Sequence, residues 1–593
     1  MIKTINLINS YFLTKTEKRM IIYLFFFSLI IPFLELLSVA TLGALILVFI
    51  DLENFIKIIP SLTLKEQLLN IDRILLLKTL SFLVLIVLIA KNLIIFFYFF
   101  FEKKIEKYLI SNHSKILIRS YLNLSYKKHT SLNSENIQND ILYQSKKIAA
   151  FIFFIIGFLK DLFISIFFVT SLFLVNLKAS IIVVFFTIII GSIFQLLTRK
   201  KIRAAGAKVR LLEALQIKMV SALVTGIKTV TIYNKKNFFF EKISNIIQNK
   251  LTTEFFYHII QKVPRLMIES AFVFLIVGYL MYMANDLNSL KEILPFFVFL
   301  SLISVRLIPI FSTINTTVAN LKYLQPSVNS ISNQLKNENR EIIYTQNNKN
   351  LDDIKLRSIE LKGVSYSYDK SKLIANKINL KFNSNKIYCL VGETGSGKST
   401  LVDIIMGLLK PNEGKILVND GIELNSSNSK NFFHNISYVP QETFLLNDTI
   451  KNNIFFADKD DNFNKEQFDL AIRLSLLGDL LKKSEVIPEF IIGDRGVRIS
   501  GGERQRIGLA RAFYRNKQIF ALDEATSALD FNTEKEIFKN LHKIKQNKIT
   551  IIIAHRDSAI KLSDEIISLD DGRVNFIGEA KDYFEFRFYN NKT

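Results

Sequence analysis

The sequence predicts two joined fold classes: an all-α domain of six membrane-spanning helices, then an α/β domain with a parallel sheet and a phosphate-binding loop. Three observations carry this. Half of the 593 residues are hydrophobic, 52 of them Phe, and mean hydropathy is positive, which is unusual for a soluble chain. The apolar excess crowds the first half. In the second half short β-rich runs alternate with helical ones, and one strand-to-helix junction reads GETGSGKST.

A span needs about 20 mostly apolar residues. Runs near 20–50, 74–101, 148–176, 179–198, 266–284 and 292–320 qualify. The first follows the basic stretch TKTEKR; it is too long for a secretory signal, and no small-residue cleavage site follows it. About 20 residues precede it, too few for a peptidase domain. The expected division is a cytoplasmic segment 1–19, a transmembrane domain 20–323, a linker 324–355 and a nucleotide-binding domain 356–593.

Loop charge sets the orientation. Segment 102–147 carries nine Lys/Arg and 199–265 carries fourteen, whereas 51–73, 177–178 and 285–291 are short and nearly balanced. Basic loops stay in the cytoplasm, so both termini and the two long loops belong there, which six spans satisfy. Apolar residues in SKILIRSYLNLSYKKH and NFFFEKISNIIQ recur at three- and four-residue spacings, so the spans are expected to continue as helices into the cytoplasm. Their tips fall near SLNSENIQND and IYNKKN.

The net charge of +23 admits nucleic-acid binding, but the basic residues cluster beside apolar spans, as in integral membrane proteins. No nucleic-acid partner is expected. The single cysteine, Cys389, excludes an intrachain disulfide and a thiolate metal cluster. Ionisable residues inside the spans, Glu35, Lys91, Lys160, Asp161, Glu269 and Arg306, are costly in lipid and should face a cavity or one another. Arg265, at the inner edge of the fifth span, joins them.

After the polar stretch NENREIIYTQNNKNLDD the pattern changes. SIELKGVSYSY and KINLKF alternate like strands, KIYCLVG is a continuous apolar strand, and TLVDIIMGLL is helix-like. Between the last two lies the loop Gly392, Glu393, Thr394, Gly395, Ser396, Gly397, Lys398, Ser399, Thr400. Its glycines let backbone N–H groups converge on phosphates at a helix N-terminus. Lys398 supplies positive charge to the β- and γ-phosphates and Ser399 a hydroxyl for Mg²⁺. The strand QIFALDEATSALD ends in Asp523 and Glu524; Asp523 suits a Mg²⁺ contact, and Glu524 suits a general base acting on water. His555 ends the strand TIIIAHR, and Gln441 follows ISYVP. At the same sheet edge His555 suits the γ-phosphate and the attacking water, and Gln441 a Mg²⁺ ligand. Tyr368 either stacks on a purine or packs as a core aromatic.

Together these residues resemble a known family. Tyr368, GETGSGKST, Gln441, ISGGERQR, ALDEATSALD and His555 stand in the order of the A-loop, Walker A, Q-loop, signature, Walker B with D-loop, and H-loop of ATP-binding cassette (ABC) transporters. The resemblance covers roughly 356–575. With six preceding spans, the whole chain resembles an ABC exporter half-transporter, an α-helical transmembrane domain fused to an α/β P-loop NTPase domain. The resemblance implies ATP and Mg²⁺ as cofactors, a bacterial inner membrane location, and a second half-transporter chain as partner. Each chain keeps a complete motif set, which implies a homodimer. It also implies that Ser500, Gly501, Gly502 and Glu503 face the ATP held by the partner's loop, and that Asp530 of the D-loop lies at the nucleotide.

The family signature usually reads Leu-Ser-Gly-Gly-Gln; here it is Ile499-Ser500-Gly501-Gly502-Glu503. The Glu503 charge is expected across the interface from a bound triphosphate. A narrower resemblance, in VPRLMIE, SVRLIPIFSTI and GLLKPNEGKILVND, is to the PglK-like flippases of bacterial lipid-linked oligosaccharides, as is a small external helix in 53–70. It implies a lipid or glycolipid substrate and a cationic path through Lys91, Arg265 and Arg306, suited to a diphosphate. Lipid A-like lipids, polysaccharides, peptides and drugs are the alternative cargoes.

Overall fold

The computed structural model describes residues 2–50, 72–175, 177–283, 287–341, 355–368, 372–419, 421–425, 428–456, 463–478, 491–493 and 496–590. Contacts divide the chain into two compact units, Met1–Leu124 with Leu132–Ile342, and Ser125–Ser131 with Ile343–Thr593.

The first unit is helical. Among the described residues four stretches are long and apolar enough to cross a membrane: Lys15–Phe49, Arg73–Leu122, Ser134–Leu174 and Ser180–Thr225. The fifth and sixth expected spans fall in helices Lys236–Met283 and Leu287–Glu341, whose side chains lie partly outside the described residues. The segment expected to form an external helix, 53–70, lies outside them as well. Helix Arg73–Leu122 turns Phe82, Leu85, Ile89, Phe96 and Phe100 outward, a face that suits hydrocarbon rather than water.

The helices outrun the bilayer. The 50 residues of Arg73–Leu122 measure about 75 Å at 1.5 Å per residue, against a hydrocarbon core of about 30 Å. The extensions pack around Leu109, Leu117, Ile148, Val328 and Ile331. Their polar groups are paired: Tyr121 Oη donates to Asp140 Oδ2 at 2.7 Å, and Lys147 Nζ to Glu213 Oε2 at 2.6 Å. The first tip carries two short helices, Tyr126–Ser131 and Ser134–Asn139, the second of them within SLNSENIQND. Near the N-terminus, Thr14 caps helix Lys15–Ser28 in a reciprocal box with Glu17, whose other oxygen accepts from Asn112 Nδ2 at 2.8 Å. One close approach holds two long helices together. A Cβ on Gly206 of Leu177–Thr225 would lie 1.9 Å from the Tyr323 carbonyl oxygen of Leu287–Glu341.

The second unit contains two sheets. One is antiparallel, in the order β2-β1-β4-β5, with β1 Ser358–Tyr366, β2 Ala375–Asn383, β4 Glu413–Val418 and β5 Ile422–Glu423. The other runs β10-β9-β3-β8-β7-β6, with β3 Lys386–Val391, β6 Ile436–Val439, β7 Ile519–Asp523, β8 Ile549–Ile553, β9 Glu565–Asp570 and β10 Arg573–Gly578. Its β9-β3-β8-β7-β6 portion is parallel and β10 antiparallel. A parallel sheet is covered on both faces, which is why β3, β7 and β8 read as unbroken apolar runs. One face packs on the antiparallel sheet and helix Lys398–Ile405. The other packs on helices Lys465–Leu474, Gly501–Arg515 and Phe531–Ile544. Cys389 lies in the middle of β3, between Ile552 and Ile566, and burial pushes its thiol up to about 12.

Candidate functional site

The carboxyl ends of β3, β8, β7 and β6 lie side by side, where open α/β sheets hold their ligands. β3 delivers the glycine loop, β7 delivers Asp523 and Glu524, β8 leads to His555, and β6 leads to Gln441.

In the loop, Gly392 has φ 146° and Gly397 φ 100°, backbone regions that L side chains rarely adopt. Space is short as well: a Cβ on Gly392 would lie 2.2 Å from the Leu569 oxygen, and one on Gly397 2.6 Å from that of Ile374. Gly397 is the N-cap of helix Lys398–Ile405. Lys398 Nζ donates to the carbonyls of Gly392 at 2.9 Å and Glu393 at 2.7 Å, with Ser396 Oγ at 3.5 Å. Burial lowers the pKa of this ammonium, while the Glu524 and Asp523 carboxylates counter the shift.

Ser399 Oγ donates to Asp523 Oδ1 at 3.4 Å. Burial raises the Asp523 pKa, opposed by that hydroxyl; the Glu524 charge adds to the rise and Lys398 opposes it. Burial, and then the Asp523 charge, pushes Asp403 up to about 6. Crowded carboxylates beside a hydroxyl fit a divalent cation, whose charge would favour their ionised forms. A glycine cradle that no side chain could enter, with a lysine inside it, fits a polyphosphate.

Glu524 occupies the centre of the constellation. Gln441 Nε2 donates to its Oε2 at 2.9 Å, and His555 Nε2 lies 3.2 Å from its Oε1. The two residues singled out on separate strand ends therefore hold one carboxylate between them. Glu524 has φ 47°, a strained conformation for a residue with a side chain and a recurring property of functional sites. Its N–H donates to the Ile553 carbonyl at 3.1 Å.

Tyr368 is 41% exposed beyond the end of β1, its ring edge-on to buried Tyr366 with centroids 5.1 Å apart. This decides against the core alternative, which Tyr366 fills. Asp530 is an N-cap: its carboxylate accepts from Thr533 N at 3.0 Å and Thr533 Oγ1 at 2.6 Å.

Ser500 caps helix Gly501–Arg515. Ser500 N donates to Glu503 Oε2 at 2.7 Å, and Glu503 N to Ser500 Oγ at 3.2 Å. The Glu503 carboxylate is thus tied to its own helix start, a use not foreseen above although S-x-x-E is legible as a capping box. Glutamine can accept the same bond. Glu503→Gln is therefore expected to keep ATPase activity within about twofold, whereas Glu503→Ala loses a hydrogen bond worth about 1 kcal/mol, read as a lower unfolding temperature.

Three polar side chains that sequence reasoning missed support this site. Gln505 reaches the loop after Glu524. Arg556 Nη1 donates to Leu529 O at 2.8 Å and Nη2 to Ser527 O at 2.7 Å. Arg511 donates to the carbonyls of Asn453 and Phe444 at 2.8 and 3.0 Å. Nothing in their spacing announces these contacts, because the partners, mostly backbone groups, lie 19 to 67 residues away in the chain.

Of the candidate path residues, the structure describes the side chains of Lys91 and Arg265. Lys91 is 3% exposed and pairs with Glu35 at 3.3 Å, the mutual pairing that the sequence left open beside a cavity. Lys160 and Asp161 pair at 3.7 Å. Arg265 is exposed, and the Arg306 side chain lies outside the described residues.

Comparison with known proteins agrees with this geometry. Residues 375–527 match the family model "ABC transporter". The heterocyst differentiation ATP-binding protein HepA of Nostoc sp. is 33% identical over 373 residues, 61% of this chain and 59% of that protein. The ATP-dependent lipid A-core flippase of Haemophilus influenzae is 36% identical over 228 residues, 38% of each chain. That of Escherichia coli K12 is 37% identical over 230 residues, 39% of each. The matches thus span between 38% and 59% of these relatives' length. A bacterial Atm1-family ABC exporter with ATP bound shares the fold, with TM-score 0.74 over 94% of this chain and 95% of that one at 19% identity. The protein joins a helical unit, in a chain that shares the fold of an exporter, to a domain that matches the ABC transporter family model.

Proposed function

We propose that the chain is one half of an ATP-driven exporter of the flippase kind, working as a homodimer in the bacterial inner membrane with six spans and its ATPase domains in the cytoplasm. The observation that carries the catalytic part is Glu524, held between Gln441 and His555 next to the Ser399–Asp523 pair. The loop Gly392–Thr400 binds the ATP phosphates with Lys398, and Tyr368 offers an exposed ring to the base. Ser399, Asp523 and Gln441 would hold Mg²⁺, which would supply charge neutralisation at the phosphates. Glu524 takes the proton of the attacking water, and His555 orients that water and the γ-phosphate. Ser500, Gly501 and Gly502 complete the site on the partner chain, so two ATPs are enclosed between two ATPase domains, and Asp530 positions its loop beside them.

The cargo we propose is a glycolipid with an anionic head, either a lipid-linked oligosaccharide or a lipid A-like lipid. The flippase relatives favour the second. Arg265, Arg306 and the Lys91–Glu35 pair are the candidate contacts on the path. In proteoliposomes, the matching lipid is expected to raise ATPase activity several-fold and to appear in the opposite leaflet only with ATP. Equal activity with a lipid-linked oligosaccharide, with lipid A and with neither would overturn the cargo assignment and leave the ATPase assignment intact.

A further inference from the structure

Gln505 stands on the first turns of the helix that begins Ser500-Gly501-Gly502, yet its polar atoms serve the loop that follows Glu524. The side chain is 6% exposed. Its Oε1 accepts from Ala528 N at 2.8 Å. Its Nε2 donates to Ser527 Oγ at 2.9 Å and to the Glu524 carbonyl at 3.4 Å. One amide therefore reaches three points of a five-residue loop. The glycines beside it close the contact further: a Cβ on Gly502 would lie 3.1 Å from the Ala528 oxygen, and one on Gly501 3.7 Å from the Ala528 Cβ. From the opposite side Arg556, the residue after His555, holds the carbonyls of Ser527 and Leu529. The loop is clamped between the serine–glycine helix start and the histidine strand end.

Such a clamp has a physical purpose. Glu524 keeps a positive φ of 47°, and a strained residue persists only where its surroundings over-determine it. Its own N–H is anchored to β8; its carbonyl, and the two residues that would relax with it, are anchored to Gln505. We propose that Gln505 is the positioning residue that sets the Glu524 carboxylate from the serine–glycine helix, so that a displacement of that helix start is transmitted to the water-activating group. The inference rests on the proposed role of Glu524 and adds to it a link, inside one chain, between the two half-sites that serve different ATP molecules.

The test uses the full chain in lipid nanodiscs. Gln505→Leu conserves the shape and removes all three contacts. Its kcat for ATP is expected to fall at least about tenfold, as misplacement of a catalytic group does, with KM within about twofold because the phosphate loop is untouched. Gln505→Glu still accepts from Ala528 N and from the Ser527 hydroxyl but offers the Glu524 carbonyl no donor, so kcat is expected between that of Gln505→Leu and wild type. It also keeps the test decisive where Gln505→Leu yields no folded protein. A kcat for either variant equal to wild type, or a Gln505→Glu no better than Gln505→Leu, overturns the proposal. So does a fall in kcat with KM rising in step. Glu524→Gln, assayed alongside, separates the two ideas: if it turns over normally, the base assignment has failed; if it is inactive while Gln505→Leu is normal, only the positioning role has.

Discussion

Glu524→Gln is expected to lower steady-state ATP hydrolysis by at least about 100-fold, the usual contribution of a positioned general base, while ATP stays bound. The carboxylate is held at both oxygens, Oε2 by Gln441 Nε2 at 2.9 Å and Oε1 by His555 Nε2 at 3.2 Å. Glutamine keeps one acceptor and turns an amide N–H towards the other donor. It also has no lone pair basic enough to take a proton from water. The groups proposed to bind the phosphates, Lys398 and the loop Gly392–Thr400, lie outside these two contacts, so affinity should survive. Retention of radiolabelled ATP on the purified variant, beside a phosphate-release assay, reads both halves. Normal turnover by this variant would remove Glu524 from its role.

Gly206→Val is expected to give the largest structural effect. A Cβ at 206 meets the Tyr323 carbonyl oxygen at 1.9 Å, its carbon at 2.8 Å and its Cα at 3.1 Å. All three are backbone atoms of a 55-residue helix, so no rotamer change can clear them. Overpacking that side chains can absorb costs about 1–3 kcal/mol; here two helices must separate, and the cost should exceed that range. The shift would also disturb the Tyr323 ring, stacked on Tyr257 with centroids 4.0 Å apart. Gly157→Ala is the control, because nothing lies within 4 Å of a Cβ there. Thermal unfolding and the yield of monodisperse protein in detergent should separate the two variants. Equal stability would mean that this helix pair is not closely packed.

Much of the site was legible because its residues are contiguous or end a strand. GETGSGKST needs only the strand before it and the helix after it, and Asp523, Glu524, His555 and Gln441 each follow a recognisable apolar run. Glu503 shows how a legible pattern can be passed over: its charge drew attention to a bound nucleotide, whereas S-x-x-E ties it to its own helix start. Lys91 shows the opposite case. A buried cation in a span requires a partner, but only the packing of two helices selects Glu35, 56 residues away.

The sequence by itself determined that a helical half with apolar runs of membrane-spanning length precedes an α/β half with a glycine-rich loop. Apolar run length, periodicity and loop charge are properties of short windows, and each local choice agrees with the final fold. Only the tertiary structure decided that Gln441 and His555 grip the same carboxylate, that Gln505 and Arg556 clamp the loop behind it, and that Gly206 lets two long helices touch. Those contacts join backbone and side-chain atoms up to more than a hundred residues apart. Their geometry follows from how the sheet and helices pack, which no local spacing encodes.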